Sequence, residues 1–359
     1  MRIHDRYVLS GFWRNLGIGL IAFTVIFITV DVSEQIDVYI DNHVQLADVV
    51  LFYVYKIPSI LALIMPVAVL LATIFAMGKL SRENELTALI SSGTPLVRVG
   101  APIILSSVAI SLCMMAAGEF VVAKASHESL TLKRVKIDKN MQEESAFYRD
   151  NIHYQGEHGR TYYGEHYDVM LKAFTNIAIY EYRGGSLARR IDASKAYWDG
   201  AEWVFLNGAI REFTPSGEKI STFVKMDMKD LPERPEDFAK EELDPDEMNY
   251  RQLKAYIAKV VRSGEPVDKY RVDLYFKFSF PFTSFIFAVI GAALSSAKRK
   301  PSMATGFGLT LFISFTYYTV LRMGQSLGHS GVVVPLFGAW MGNIAFIFVG
   351  GVLLYRANR

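Results

Sequence analysis

The chain has 359 residues, of which 51% are hydrophobic and 21% charged, with a mean hydropathy of +0.21 and a net charge of +2. This balance excludes a basic nucleic-acid-binding protein, and the single cysteine, Cys113, excludes an intrachain disulfide and a thiolate metal cluster. Residues 124–268 hold 22 of the 38 Lys and Arg and 26 of the 36 Asp and Glu. We therefore predict a membrane protein with one polar insert.

Six apolar runs approach the roughly 20 residues that a helix needs to cross a bilayer. The first run lacks a convincing small-residue cleavage site, so we predict a retained helix rather than a removed signal peptide. The sequence predicts an α-helical membrane protein with six transmembrane helices, arranged 3+3 around the insert. The runs are Asn15–Val30, Ile57–Gly78, Val99–Gly118, Phe278–Ala297, Pro301–Leu321 and a helix within Val332–Tyr355.

The domain boundaries follow from these runs and from the charge distribution. We predict transmembrane helices 1–3 in residues 1–123, an inserted β domain in residues 124–248, and a connecting helix with transmembrane helices 4–6 in residues 249–359.

Basic residues are distributed unequally between the two sets of short loops. One set holds eleven Lys and Arg, and the other holds only Lys56 and Arg322. Because cytoplasmic loops are enriched in basic residues, both termini are predicted to be cytoplasmic and the insert to face outward. The eleven are Arg2, Arg6, Arg14, Lys79, Arg82, Arg98, Lys298, Arg299, Lys300, Arg356 and Arg359.

The loop between the second and third spans carries a helix signal. Ser81 is predicted to cap a helix at about residues 81–92, and Gly93 is its stop signal. The helix is charged at one end and apolar at the other, so it can dock onto a cytoplasmic partner. The alternative is a solvated turn between two spans.

The insert is predicted to be a single β-sandwich or jelly-roll-like domain, because its segments are rich in aromatic and β-branched residues and are separated by turn signals. Asp199-Gly200, between Trp198 and Trp203, is the clearest hairpin signal. The predicted strands are Ala146–Tyr154, Phe174–Arg183, Ala188–Trp198, Glu202–Ile210 and Ile220–Met226.

Three features near the spans complete the predicted architecture. Tyr250–Arg262 is predicted to be an amphipathic helix at the outer membrane surface. Gly338 and Gly342 indicate close packing of helices within the chain. Glu119 is either an intramembrane functional group or a carboxylate that reaches the interface.

The sequence offers no enzymatic chemistry. A Gly-x-x-x-x-Gly-Lys-Ser/Thr phosphate-binding motif is absent, and we find no nucleophile–base pair. His153, His158 and His166 lack a helical His-x-x-x-His spacing, so surface histidines are favoured over a metal site. The chain is therefore not expected to hydrolyse ATP, and no metal site is predicted in it.

Several segments resemble, in order and spacing, the lipopolysaccharide-export permeases of the LptF/LptG (YjgP/YjgQ) family. Glu85-Leu86 lies before Ser92-Gly93 as in the family, and Gly118-Glu119-Phe120-Val121 is similar to the outer end of its third span. The lead into the fourth span is matched by Leu243-Asp244-Pro245 and by Ser263 to Arg271, closed by Lys277 and Pro281. The resemblance covers essentially the whole chain, and the stretch from Ser263 to Tyr270 is closer to LptG than to LptF.

The resemblance implies a transmembrane permease subunit of an ABC-type transporter. Such a subunit extracts lipopolysaccharide from the outer leaflet of the inner membrane of a Gram-negative bacterium and passes it to a periplasmic bridge, as outer-membrane biogenesis requires. The implied partners are an LptB-like ATPase dimer, an LptF-like paralogous permease, an LptC-like single-span protein and an LptA-like periplasmic bridge. The insert would be periplasmic, and ATP and Mg²⁺ would be held by the ATPase, with no cofactor in this chain.

The resemblance also implies roles for residues. Glu85 is the expected ATPase-coupling carboxylate, beside Arg82, Glu83 and Leu86, and a charge-assisted hydrogen bond would give orientation as well as affinity. Residues that face the lipid cavity are expected on the first and fifth spans, although ordinary lipid-facing or packing positions are the alternative. The candidates are Phe23, Phe27, Val30, Phe312, Phe315 and Tyr318.

The expected phosphate-binding cations are fewer than in the family. Residues 31–48 contain no Lys or Arg, so the nearest substitutes for contacts with lipid phosphates are Lys56, Arg322 and the histidines His43 and His329. Two other functions therefore stay open: an ABC permease for another amphiphilic lipid, and a non-transporting membrane scaffold with a periplasmic binding domain.

Overall fold

A computed structural model describes residues 3–138, 148–156, 159–183, 186–214, 217–228, 231–239, 245, 247–263, 266–295 and 302–357. The chain divides into two compact units. The helical unit comprises Met1–Lys133, Pro245–Tyr250 and Asp268–Arg359, and the β unit comprises Arg134–Asp244 and Arg251–Val267.

Within the described residues, six long helices are apolar enough to cross a membrane, which confirms the predicted 3+3 arrangement around an insert. The first five exceed their predicted apolar runs. The first, α1, has 39 residues and is about 58 Å long at 1.5 Å per residue. The helices of the chain are α1 (Ile3–Asp41), α2 (Leu46–Arg82), α3 (Glu85–Ser91), α4 (Leu96–Ala117), α5 (Ala123–Leu132), α6 (Pro235–Ala239), α7 (Tyr250–Ser263), α8 (Asp268–Ser295), α9 (Met303–His329) and α10 (Pro335–Ala357).

The third span continues beyond the predicted run. α4 is followed without a break by a π-helical turn at Gly118–Val122, by α5, and by a second π-helical turn at Lys133–Ile137. The whole continuous segment covers Leu96–Ile137.

The interior of the helical unit is built around α2 and α8, which are the two most buried spans. One apolar cluster joins α1, α2, α3, α4 and α8, and a second joins α2, α8, α9 and α10. Gly338 allows close approach of α10 to α9, because a Cβ there would lie 2.8 Å from the carbonyl oxygen of Gly324. The predicted close packing at Gly338 and Gly342 is thus confirmed.

The β unit contains a six-stranded antiparallel sheet in which each strand pairs with its neighbours in sequence. This confirms the inserted antiparallel β domain. The described strands differ from a sandwich or jelly roll in their order, which is that of a meander. The strands are β1 (Tyr148–Gln155), β2 (Arg160–Asp168), β3 (Ala173–Arg183), β4 (Ser186–Trp198), β5 (Trp203–Thr214) and β6 (Gly217–Met228).

The sequence analysis located the Asp199-Gly200 hairpin but missed β2. The hairpin joins β4 to β5, with Gly200 at a φ of +107° and the backbone N–H groups of Ala201 and Glu202 donating to the Asp199 carboxylate. β2 contains Gly164 near its centre, and the missing side chain leaves room for the ring of Phe174. A strand with a glycine and polar residues at its centre gives a weak local signal.

The buried side of β3 and of β4 changes along one line across the sheet. Side chains on one face of a regular strand are an even number of residues apart. Here successive buried residues are three apart, at Phe174 and Ile177 in β3 and at Ala193 and Ala196 in β4. Asn176 and Asn207 lie at this line with positive φ values of 53° and 50°. Left-handed residues of this kind bend a strand and change the face that its side chains occupy.

The core of the β unit is aromatic. Tyr162, Tyr167, Phe174, Trp203 and Phe205 are at most 2% exposed, and the ring of Phe238 from α6 packs against most of them. The indole N–H of Trp203 donates to the Glu233 carbonyl at 2.9 Å, so its polar atom is satisfied inside the core.

The predicted amphipathic helix is present as α7. Leu253 and Val260 are fully buried and Ile257 nearly so, whereas Val261 is half exposed. The burial therefore follows one face of the helix, as the sequence predicted.

Candidate functional site

The segment between α2 and α4, residues 83–95, forms a short helix between two turns. Asn84 precedes α3 with a φ of +62°, and Gly93 follows it with a φ of +87°. The backbone N–H of Thr94 donates to the Leu89 carbonyl, which closes the carboxyl end of the helix. We refer to residues 83–95 as the coupling segment.

The predicted start of this helix at Ser81 is wrong. α2 continues through Ser81 to Arg82, because Leu80 and Ser81 are buried against the rest of the helical unit. The chain changes direction only at Glu83 and Asn84, and α3 begins at Glu85.

The four predicted coupling residues fall into two groups. Glu83 and Glu85 are exposed, and Arg82 is half-buried. Leu86 is 2% exposed and belongs to the apolar cluster that joins α3 to α1, α2 and α4. The geometry thus gives an exposed carboxylate on a short helix that is anchored from beneath by a leucine.

The predicted cavity residues of the first and fifth spans lie on neighbouring helices. The ring of Phe23 on α1 stacks on that of Phe307 on α9, with centroids 6.3 Å apart and planes 11° from parallel. Val30, Phe312 and Phe315 are exposed by 51%, 69% and 70%. These large exposed residues form apolar surface on both helices, and such surface suits contact with acyl chains or with another membrane helix.

Tyr318 is held differently from these residues. It is half-buried, and its hydroxyl donates to the Leu63 carbonyl on α2 at 2.8 Å. Its ring lies 6.4 Å from that of Phe280 on α8. Tyr318 therefore ties α9 to α2 and α8.

Lys56 forms an ion pair that the sequence analysis did not predict. Its Nζ lies 2.8 and 2.9 Å from the two carboxylate oxygens of Asp31 on α1. The same carboxylate accepts from the Tyr53 hydroxyl at 2.7 Å and from the Gln35 amide at 3.0 Å. The charge of Lys56 is therefore already balanced within the chain.

Arg322 has a different environment. Its Nη1 donates to the Gln325 side-chain oxygen at 2.9 Å. Because Gln325 is neutral, this bond orients the guanidinium without cancelling its charge. Of the two predicted cations, Arg322 is the better placed to attract an anionic group.

Glu119 has a structural partner. Its carboxylate accepts from the backbone N–H of Tyr250, the first residue of α7, at 2.8 Å. A carboxylate at a helix amino terminus is stabilised by the helix dipole. Beside it lies a largely apolar cavity of about 440 Å³, lined among others by Met114, Phe276 and Pro281.

Comparison with known proteins identifies a family. A family model described as lipopolysaccharide export system permease LptF/LptG matches residues 6–356. No individual curated protein matches the chain significantly.

Proposed function

The chain belongs to the LptF/LptG family of lipopolysaccharide export permeases, and from this membership we propose that it is the membrane-spanning subunit of an ABC-type transporter. In this proposal it extracts lipopolysaccharide from the outer leaflet of the inner membrane and passes it to a periplasmic bridge. A separate ATPase supplies the energy, because the chain itself has no phosphate-binding loop.

The observation that carries the proposal is the extent of the family match. It covers residues 6–356, and so includes all six apolar helices and the inserted antiparallel sheet. A match limited to the spans would leave the β unit without a role, whereas a lipid-export path uses both.

We propose that the coupling segment docks onto an LptB-like ATPase dimer, which would hold ATP and Mg²⁺. Glu85 supports this role because it is exposed at the first position of α3, while Leu86 fixes the helix from below. Closure of the ATPase on ATP binding would then move α3, and this movement would compress the lipid cavity.

The proposed lipid path begins at the apolar surface of α1 and α9. An LptF-like paralogue would face this surface and complete the cavity, with an LptC-like single-span protein beside it. The β unit would hand the lipid to an LptA-like bridge. β6 suits strand addition by a neighbouring domain, because it is an outer strand of the described sheet and exposes Ile220 and Val224.

The proposed orientation places both termini in the cytoplasm and the β unit in the periplasm. Its support is the distribution of Lys and Arg among the short loops, which favours the α2–α4 loop and the termini. We also propose that the chain is the LptG-like member of the pair, on the basis of the stretch from Ser263 to Tyr270. Co-purification with a chain of the LptF type would support this, and co-purification with a second LptG-like chain would contradict it.

The experiment that tests the function is purification of the tagged chain in mild detergent, followed by mass spectrometry of the proteins and lipids that accompany it. We expect an ABC ATPase, a second six-span permease and lipid A species. Recovery of the chain without an ATPase would instead favour the non-transporting scaffold.

A variant pair tests the role of Glu85. Glu85→Arg is expected to abolish ATPase association or lipid export while the chain still folds, because it reverses the charge that faces the partner. Thr87→Ala is the matched control, since Thr87 is exposed on the same helix. Normal export by Glu85→Arg would refute the assigned role.

A permease for another amphiphilic lipid is the second candidate. The Asp31–Lys56 pair favours this second candidate. Because Asp31 balances the charge of Lys56, this lysine is not an unbalanced cation for the phosphates of lipopolysaccharide. Binding of purified lipopolysaccharide and of a phospholipid can be compared directly. A preference for the phospholipid would remove lipopolysaccharide as the substrate.

A further inference from the structure

The first turns of α1 contact residues that flank the coupling segment on both sides. On one side, Arg98 in the first turn of α4 donates from Nη1 and Nη2 to the two carboxylate oxygens of Asp5, at 3.0 and 3.2 Å. On the other side, Lys79 near the end of α2 lies 5.5 Å from the centre of the Tyr7 ring. Asp5 is only 6% exposed, whereas the Arg98 side chain is 39% exposed, so the pair joins a buried carboxylate to a partly exposed guanidinium.

Apolar packing joins the same elements. Leu86 of α3 lies in one cluster with Val8 and Phe12 of α1 and with Leu96 and Val99 of α4, and each of these residues is at most 2% exposed. Protein interiors are close-packed, so a displaced side chain must move its neighbours or open a cavity. A movement of α3 is therefore passed to the amino-terminal part of α1.

α1 is suited to carry that movement further. Val8, Phe12 and Leu16 anchor its amino-terminal half in the apolar cluster. In the apolar stretch that could cross the membrane, only 11% of the residues are buried. Gly19 lies against Leu71 and Ala68 of α2, where a Cβ would be 3.7 and 3.8 Å from their side chains. Because Gly19 itself has no side chain, it does not interlock with α2 at this contact.

The length of α1 connects two distant regions. Asp5 and Val30 belong to one uninterrupted helix, and 25 residues at 1.5 Å per residue separate them by about 38 Å. Val30 is among the exposed apolar residues expected to face lipid. A displacement at Asp5 thus reaches the proposed cavity without any flexible link.

We propose that Asp5 and Arg98 are positioning residues that transmit movement of the coupling segment to α1, a role that rests on the proposed function. A bidentate guanidinium–carboxylate pair fixes direction as well as distance. It also balances a positive charge in the first turn of α4, which the helix dipole would otherwise disfavour. The pair couples ATP hydrolysis to lipid movement without contacting either ATP or lipid.

The test uses the full complex, reconstituted with its ATPase and paralogous permease in liposomes that contain purified lipopolysaccharide. ATP hydrolysis and lipid release to a soluble acceptor are measured together for Asp5→Asn, Arg98→Gln and the exchanged pair Asp5→Arg with Arg98→Asp. Thermal unfolding of each variant is measured in the same preparation. Asp273→Asn is the matched control, because it alters a different carboxylate contact, with His329, in the same unit.

We expect both single variants to retain the ATPase and to hydrolyse ATP at a rate close to that of the original chain. The amount of lipid released per ATP should fall by about tenfold, which is a typical size for coupling between two sites. The exchanged pair should restore most of the lost release. The control should leave the ratio unchanged. If Asp5→Asn does not fold, Arg98→Lys replaces it, since lysine keeps the charge but cannot form the bidentate contact.

Two results would overturn the inference while leaving the proposed function intact: an unchanged ratio in the single variants, or a loss that the exchanged pair fails to restore. Failure of the original chain to bind any ATPase would instead overturn the proposed function itself. The two hypotheses are thus separated within one set of measurements.

Discussion

Glu181 of β3 is a buried carboxylate between two arginines. It is 6% exposed and accepts from Arg160 Nε at 3.0 Å and from Arg189 Nε and Nη2 at 2.9 Å each. Burial alone would raise the pKa of Glu181, but the guanidinium hydrogen bonds and charges outweigh it and hold the pKa below its usual value. The group therefore stabilises the β unit in its ionised form.

This arrangement predicts an acid-sensitive contribution to stability. Because the folded pKa is lowered, the contribution is complete above the unfolded value of 4.5 and is lost as the pH falls through the lower folded value. Glu181→Gln should therefore destabilise the β unit at pH 7 and make less difference near pH 3. Denaturant unfolding of the full chain, followed by tryptophan fluorescence, measures both.

A matched control distinguishes burial from charge alone. Glu218 is more exposed, and its Oε1 lies 3.7 Å from Arg211 Nη1. Because exposed ion pairs contribute little to stability, Glu218→Gln should change the free energy of unfolding little at either pH. The free energy of unfolding of Glu181→Gln is compared with that of the original chain. If the difference between them did not change with pH, the ionised role of Glu181 would be contradicted.

Asn207 shows what a single residue can hide from sequence analysis. It lies inside β5 with a φ of +50°, and Asn176 takes the same conformation in β3. Asparagine adopts left-handed backbone more readily than most residues, but its presence alone does not distinguish a bend from a turn. The strand register places the two positions on one line across the sheet, and only this tertiary alignment distinguishes a bend from a turn.

At the scale of helices, a buried polar network joins α8, α9 and α10. The Tyr317 hydroxyl donates to the Asn343 side-chain oxygen at 2.8 Å, and the Asn343 amide donates to the Ser279 carbonyl at 2.6 Å. Thr283 hydrogen-bonds Tyr317 in the same network. Every one of these side chains is at most 2% exposed, so the network lies away from any lipid surface.

Asn343→Leu is expected to lower the thermal stability of the chain in detergent. It removes the acceptor of Tyr317 and the donor to Ser279, and interhelical hydrogen bonds of this kind contribute about 1 kcal/mol in membrane proteins. Thr319→Val is the control, because Thr319 bonds only within α9, to the Phe315 carbonyl. Equal midpoints of thermal unfolding for both variants would show that the network does not hold the helices together.

The coupling segment illustrates how far element boundaries follow from sequence. Gly93 was correctly expected to end the helix, because a glycine with positive φ is a common helix stop. The start was misplaced by four residues, since the burial of Leu80 and Ser81 extends α2 past a residue that resembles a cap. Tertiary packing thus overrode the local capping signal.

For the whole molecule, the orientation in the membrane is the property that most needs measurement. In a Cys113→Ser background, Ala201→Cys lies in the exposed β4–β5 turn and Thr87→Cys on the exposed face of α3. A membrane-impermeant maleimide should label Ala201→Cys in cells with a permeabilised outer membrane. It should label Thr87→Cys only after the inner membrane is disrupted.

The labelling rests on the unequal distribution of basic residues between the loops. The cysteine-free background should remain unlabelled throughout. Labelling of Thr87→Cys before disruption would reverse the proposed orientation, and with it the side on which an ATPase could bind.

The sequence by itself determined the six spans, the position of the β insert, the Asp199-Gly200 hairpin and the existence of a helix between α2 and α4. Each of these depends on apolar runs, turn residues or charges that lie close together in the chain. Their physical causes are local, because the bilayer thickness and the backbone preferences of turn residues act on short segments.

The tertiary structure alone decided which polar groups meet. Asp31 and Lys56 are 25 positions apart, Asp5 and Arg98 are 93 apart, and Glu119 and Tyr250 are 131 apart. Residue type indicates that a buried charge requires a partner, but only the tertiary structure brings these partners within hydrogen-bond distance. The packing of α1 against α2 and α4 does so for Asp31 and Asp5.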